Sequence, residues 1–150
     1  MKMQWIARLL LAGVAIAVLG ACATVPPSQQ EGRVVELIDR LNTYPVAELV
    51  EQTGVPFLFV EQVLYAEADV QAVLERLREG ELVVAPQIVT RMPADGAPEG
   101  ARFDVGVFYD RLPEDAQHVL VESNAGELTL VVGGEGGGLP LLLGIRRGQP

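Results

Sequence analysis

The chain has 150 residues, a formal net charge of −9, one histidine and one cysteine. This acidity argues against binding to nucleic acid and against docking on anionic lipid, because both need basic patches. One histidine and one cysteine cannot supply the three or four converging ligands of a zinc or iron site, so we expect no metal and no cofactor. A single cysteine also excludes an intramolecular disulfide, and the hydrophobic core must therefore hold the fold.

The N-terminus has the pattern of an export signal. Lys2 and Arg8 precede an uninterrupted apolar run over residues 9–19. Its eleven residues suit a secretory signal peptide and fall short of the roughly 20 apolar residues that a transmembrane helix needs. The sequence thus predicts a signal peptide over residues 1–21. An uncleaved anchor helix, or a cleaved signal followed by an incidental cysteine, would fit the same run.

The segment Leu19-Gly20-Ala21-Cys22 closes this run and contains the only cysteine. It resembles the lipobox of bacterial lipoproteins, in which an apolar residue and two small ones precede the lipidated cysteine. The resemblance implies that Cys22 becomes the new N-terminus and carries three acyl chains, palmitate among them. Two or more chains hold a protein stably on a membrane. The residue after the cysteine is Ala23 rather than Asp, which by the lipoprotein sorting rule implies the periplasmic face of the outer membrane.

After the cysteine we expect a polar spacer over residues 22–30 and a single domain over residues 31–147. Ser28 and Glu31 have the spacing of a capping box, with Ser28 as the N-cap of a first helix. Pro45 suits the first position of a second, short helix that Gly54 ends. The apolar stripes of these two helices are Val34, Leu37, Ile38 and Leu41, and Val46, Leu49 and Val50.

A third helix follows two short β-like runs at 57–60 and 62–65. Asp69 is expected to cap it and Gly80 to end it, with Val70, Val73, Leu74 and Leu77 as its buried stripe. Beyond Gly80 the pattern predicts strands at 82–90, 102–109, 117–123, 127–132 and 139–146. The glycines of residues 133–138 predict a flexible hairpin, since a phosphate-binding loop would run into a helix.

Helices that precede a series of strands favour an α+β domain, with three N-terminal helices packed on a curved antiparallel sheet. The segments Leu41-Asn-Thr-Tyr-Pro-Val-Ala-Glu-Leu, Pro56-Phe-Leu-Phe and Ala68-Asp-Val are similar in spacing to the first half of nuclear transport factor 2-like (cystatin-like) domains. That superfamily includes ketosteroid isomerase and many binding-only domains. The resemblance implies a cone-shaped roll over residues 31–147. Another roll, or a lipocalin-like half-barrel, fits the same order of elements.

Few residues qualify for catalysis. Isomerase chemistry of this superfamily needs an Asp base and a Tyr donor inside an apolar cavity. Asp104 is the candidate base, but alternation along the predicted strand 102–109 puts it on the face opposite Tyr109. His118 is expected to be an exposed strand residue without a nucleophile beside it. We therefore predict no catalytic residue, and a possible pocket lined by Tyr44, Tyr65 and Tyr109.

These patterns favour a non-enzymatic envelope lipoprotein whose roll binds a protein partner or a small apolar ligand. The alternative is a lipid-anchored enzyme of the roll superfamily, isomerase-like or hydrolase-like.

Strand parity also places Phe108 and Leu120 together on the outer face of the sheet. Such an apolar patch predicts a homodimer, because monomers rarely expose large ones. The resemblance implies the same, since rolls of this superfamily often pair through that face. If the loop after Gly100 covers the patch, the domain stays monomeric.

Overall fold

The computed structural model describes residues 27–148. Cys22, the lipobox and the predicted signal peptide lie outside the described residues. The chain divides into two compact units, Met1–Gln30 and Glu31–Pro150, and the architecture below is that of the second. Within residues 27–148, no helix combines the length and the hydropathy needed to cross a bilayer.

The described chain contains four helices and six strands. The helices are α1 (Pro27–Thr43), α2 (Val46–Glu51), α3 (Glu67–Glu79) and α4 (Phe103–Tyr109). The strands are β1 (Thr53–Phe59), β2 (Gln62–Leu64), β3 (Val84–Pro93), β4 (Gln117–Ser123), β5 (Gly126–Gly136) and β6 (Leu139–Arg147). The predicted α+β class is confirmed.

All six strands form one sheet in the order β2-β1-β6-β5-β4-β3. Neighbours are antiparallel except β1 and β6, which are parallel. The sheet is therefore mixed, and the expectation of a wholly antiparallel sheet is wrong. The parallel contact needs a glycine, because a Cβ on Gly144 would lie 2.7 Å from the carbonyl oxygen of Leu58. Strand β6 lies between β1 and β5, away from both edges of the sheet.

The first face of the sheet packs against the apolar stripes of α1, α2 and α3. The stripe residues Leu37, Ile38 and Leu74 are buried there with Val119 and Leu130 from the sheet, in what we call the first cluster. The three predicted helical stripes are thus confirmed. Their spacing of three and four residues turns one side of each helix toward the sheet.

The helix ends differ from the predicted ones. Helix α1 begins at Pro27, so Ser28 lies inside the helix rather than capping it. The N-cap of α3 is Ala66, and Asp69 lies in the first turn of that helix. An acid in a first turn is favoured by the helix dipole as well as by capping, so the sequence signal did not distinguish the two positions.

The predicted strand over residues 102–109 is wrong, because these residues form helix α4. Val105, Phe108 and Tyr109 have the i, i+3, i+4 spacing of a helical stripe, and all three are buried. Phe103, Val105, Val107 and Tyr109 also alternate as in a strand, so both periods fit these seven residues. Packing decides between them, since the helical stripe lies against Leu58 of β1 and Val63 of β2.

Helix α4 covers the second face of the sheet. Phe108 and Tyr109 pack there with Leu58, Val63 and Val131, in what we call the second cluster. The parity of β4 is as predicted, since Val119 and Val121 belong to the first cluster and the alternate residues point the other way. Phe108 and Leu120 are nevertheless only 2% and 5% exposed. The expected outer patch is therefore wrong, and the homodimer stays a prediction without that surface.

The glycine-rich hairpin is tighter than predicted. Strand β5 continues through Gly136, and a two-residue turn at Gly137 and Gly138 leads directly into β6. Both turn residues have positive φ, 64° and 87°, as a type I′ turn requires. The side-chain amide of Gln52 donates hydrogen bonds to the carbonyl oxygens of Gly136 and Pro140, at 2.9 and 3.2 Å.

Candidate functional site

A buried polar network lies between α4 and the second face of the sheet. The Tyr109 hydroxyl is 2.9 Å from His118 Nε2, and Arg146 Nη1 is 3.3 Å from the same hydroxyl. Three elements contribute, with Tyr109 on α4, His118 on β4 and Arg146 on β6. His118 and Tyr109 are only 6% and 5% exposed, so the expectation that His118 is an exposed strand residue is wrong.

The register of the sheet brings this network together. His118 pairs with Val131 and Leu120 pairs with Thr129, while Thr129 pairs with Arg146 on the other side. Partners directly across a ladder point to the same face. His118 and Arg146 therefore lie on one face of the sheet with β5 between their strands, and Tyr109 reaches both from the helix above.

The donors and acceptors form a directed chain. A guanidinium can only donate, so the Tyr109 oxygen accepts from Arg146. The hydroxyl hydrogen is then available for Nε2 of His118, which requires the tautomer with its proton on Nδ1. In this arrangement the Tyr109 hydroxyl both donates and accepts, and the histidine is neutral.

The pKa shifts favour the same neutral state. Burial lowers the pKa of His118, the nearby Arg146 charge lowers it further, and Asp95 acts in the opposite direction. Burial raises the pKa of Tyr109, against the influence of Arg146. Both groups are thus uncharged at neutral pH, and Arg146 carries the charge of the network.

Arg146 reaches a cleft at one end of the network. The cleft has a volume of about 140 Å³ and is bounded by the β1–β2 turn, the loop before α4, and Val105 of α4 itself. Its lining consists of two arginines, two glutamates and mainly apolar or small residues: Val60, Glu61, Pro98, Glu99, Gly100, Ala101, Arg102, Val105 and Arg146. The network therefore connects a buried histidine to a surface with mixed charge.

A second concave region lies between α1, α2 and the β5–β6 turn, with a volume of about 270 Å³. The Arg40 guanidinium carbon is 5.1 Å from the centre of the Tyr44 ring, and Arg40 donates to Glu36 at 2.8 Å. Glu48 and Glu51 also line this groove. Glu36 balances the charge of Arg40, whose Nε is buried without a hydrogen-bond partner among the described residues.

The three tyrosines predicted to share a pocket have different surroundings. Tyr44 is partly exposed in the groove beside Arg40, and Tyr65 follows β2 with 59% of its surface exposed. Tyr109 is buried in the network with His118. Asp104, the candidate base, forms an ion pair with Arg102 at 3.3 Å. The isomerase arrangement of an acid facing a tyrosine is therefore not what surrounds Asp104.

Within the part of the chain that the structure describes, no three His, Cys, Asp or Glu side chains lie grouped as metal ligands. No family model, no curated protein and no solved structure matches the chain. The site must therefore be interpreted from its own chemistry.

The sequence contained a signal for the second buried face. In a sheet with one solvated face, apolar and polar residues alternate, whereas strands buried on both faces show continuous apolar runs. Val119-Leu120-Val121 and Leu141-Leu142-Leu143 are such runs. Such runs indicate that β4 and β6 are covered on both faces. His118 and Arg146 lie on these two strands, so each faces a covered side.

Proposed function

We propose that the chain is a lipid-anchored envelope lipoprotein whose described domain is a non-enzymatic binding module. The lipobox-like segment ending at Cys22 supports the anchor, and Ala23 supports the outer membrane as its location. The binding role rests on one structural observation. Arg146, the charged end of the buried network, lines a cleft, whereas Tyr109 and His118 are buried.

Burial argues against catalysis by the network. A general base must come within hydrogen-bond reach of the proton that it removes. Nε2 of His118 is already engaged by Tyr109, and both side chains lie beneath the surface. The enzyme alternative would need α4 to move away from the sheet and expose them.

The proposal extends to the fold. The cone-shaped roll implied by the resemblance is supported by the shared first cluster of α1, α2, α3 and the strands of the sheet. The space between these helices and the sheet is filled by side chains such as Leu37, Ile38, Phe57 and Leu130. A filled interior suits a binding module that uses its surface, whereas a roll enzyme needs an enclosed cavity.

Replacing the cysteine tests the anchor. In the native host, the full-length Cys22→Ser variant should lose palmitate labelling and should leave the membrane fraction. Label and membrane association that persist in the variant would contradict the proposal. The wild-type chain, expressed at the same level, is the control.

A further inference from the structure

We infer that the cleft at Arg146 binds a small carboxylate that carries an apolar tail. The inference rests on the proposed role of the domain as a binding module, and it names the ligand class of that site. Its basis is the hydrogen-bonding capacity of one arginine and the size and lining of the cleft.

Arg146 has donors to spare. Among the described residues its guanidinium makes one hydrogen bond, to the Tyr109 hydroxyl. A guanidinium has five N–H donors in a planar fork, which matches the two oxygens of a carboxylate. The other arginine of the cleft, Arg102, is already paired with Asp104. Arg146 is therefore the anion-binding group.

The charge of the cleft selects a single negative charge. Glu61 and Glu99 also line it, and both are exposed. A phosphate with two charges would lie beside two carboxylates and face one available arginine, which like-charge repulsion disfavours. A monocarboxylate needs only one positive partner, and its second end is neutral.

The remaining wall fits an apolar tail. Val60, Pro98 and Val105 line the cleft, whose volume is about 140 Å³. An apolar cavity of about 150 Å³ is large enough for benzene, so a tail of roughly four to six carbon atoms fits. Such a tail would contact the valines and the proline while the carboxylate meets Arg146.

Val60 lies in the two-residue turn that joins β1 to β2, where Phe59 pairs with Gln62. Its φ is 59°, in the left-handed region that branched residues rarely adopt. A two-residue hairpin turn of type I′ or II′ requires a positive φ at its first residue, so the turn accounts for this conformation. Here the backbone N–H of Val60 donates to the carbonyl oxygen of Ile145 at 2.7 Å, which fixes the turn beside Arg146.

Tyr109 and His118 act as positioning residues for the Arg146 guanidinium. Tyr109 accepts from Arg146 and thereby restricts where the guanidinium lies, and His118 in turn orients the tyrosine hydroxyl. An arginine held in this way loses less conformational freedom when a ligand binds. Tyr109→Phe should therefore weaken carboxylate binding while Arg146 keeps its charge.

The test is a titration of the full-length lipoprotein in detergent micelles, followed by the NMR signals of labelled valine methyls. Isovalerate should shift the Val60 and Val105 methyls saturably and leave those of exposed Val89 unchanged. Isovaleramide, which has the same tail without the charge, should have no such effect. Equal shifts with the amide, or no saturable shift with any carboxylate, would overturn the inference.

Matched variants assign the effect to one residue. Arg146→Gln should lower the affinity for isovalerate roughly tenfold to hundredfold, as expected for the loss of a hydrogen bond to a charged group. Arg147→Gln removes the same charge from the exposed neighbouring position and should bind as the wild type does. If Arg146→Gln fails to fold, Arg146→Lys is the variant to measure. It keeps the positive charge but lacks the planar guanidinium that can bind both carboxylate oxygens, so its affinity should also fall. Unchanged affinity in the folded Arg146 variant would overturn the inference.

Two further arms identify the source of the carboxylate. N-acetylvaline and an acetylated Ala-Val dipeptide present the same chemistry as a peptide C-terminus. Tighter binding of the dipeptide than of isovalerate supports a peptide C-terminus, and the reverse supports a free acid. Chemical conversion of any of these ligands would contradict the proposed non-enzymatic role but would not contradict carboxylate binding at Arg146. Absence of binding, with Cys22-dependent labelling unaffected, would remove the site and leave the anchor.

Discussion

The two faces of the sheet are buried by different means. The first face is covered by three helices through apolar stripes, and its cluster consists of side chains such as Ile38, Leu74 and Val121. The second face is covered by the seven-residue helix α4, and beside the apolar contacts of Phe108 it buries the hydrogen-bonded pair of Tyr109 and His118. The comparison shows that a short helix can close a sheet face when polar groups beneath it are satisfied.

The largest expected effect tests whether α4 is needed to close the second face. Phe108→Ala should lower the free energy of unfolding by about 3–5 kcal/mol, through lost burial and a residual cavity. Phe108 also contacts the Tyr109 ring edge to face, with centroids 5.4 Å apart. Urea denaturation of the variant measures the loss.

Phe103 is the matched control, because the same helix leaves it 88% exposed. Phe103→Ala should change stability by no more than about 0.5 kcal/mol. Equal losses for the two phenylalanines would mean that α4 does not pack on the sheet through Phe108, and the predicted strand over residues 102–109 would regain support.

The first face should respond to Leu74→Ala with a loss of about 2–5 kcal/mol. Leu74 is 2% exposed in the middle of the α3 stripe. Glu75→Ala, one residue along and on the exposed side, should stay within about 0.5 kcal/mol of the wild type. Thermal unfolding of the two variants measures the difference. Equal midpoints would contradict the assignment of Leu74 to the buried side of α3.

The difference between the helices on the two faces also explains which elements could be predicted from the sequence. The stripes of α1 and α3 repeat over several turns, so their period identifies both the helix and its buried side. Residues 102–109 make barely two turns, and their apolar residues fit both a helix and a strand. The helix is distinguished only by its packing against β1 and β2, a contact between distant segments.

The network was hidden for a related reason. Tyr109, His118 and Arg146 lie on three different elements, and each has an ordinary local setting. The parity of β4 correctly put His118 and Leu120 opposite Val119, but parity does not say whether that side is covered. The assumption of one solvated face made a buried histidine look exposed.

A smaller effect tests the polar part of the second face. Tyr109→Phe keeps the ring and removes the hydroxyl, so Nε2 of His118 loses its partner inside the protein. Leaving a buried polar group unsatisfied costs about 1–3 kcal/mol. Tyr65→Phe, at an exposed tyrosine, should be nearly neutral. A Tyr109→Phe variant as stable as Tyr65→Phe would contradict the hydrogen bond.

The smallest effect is a dependence of stability on pH. The pKa of His118 is lowered in the folded protein, so the unfolded chain binds its proton more readily. The stability from keeping His118 neutral is therefore fully present above its unfolded pKa of about 6.5 and is lost as the pH falls through the lower, folded pKa. His118→Asn should show a shallower loss of stability than the wild type as the pH falls below about 6.5.

The most direct test of the buried network is the pKa of His118 itself. It is the only histidine of the chain, so in protein without a histidine tag its ring signal needs no assignment. A pH titration of that signal by NMR should give a midpoint below the ordinary value of about 6.5. A midpoint at or above that value would show that His118 is neither buried nor close to the charge of Arg146, and it would contradict the network on which the site is built.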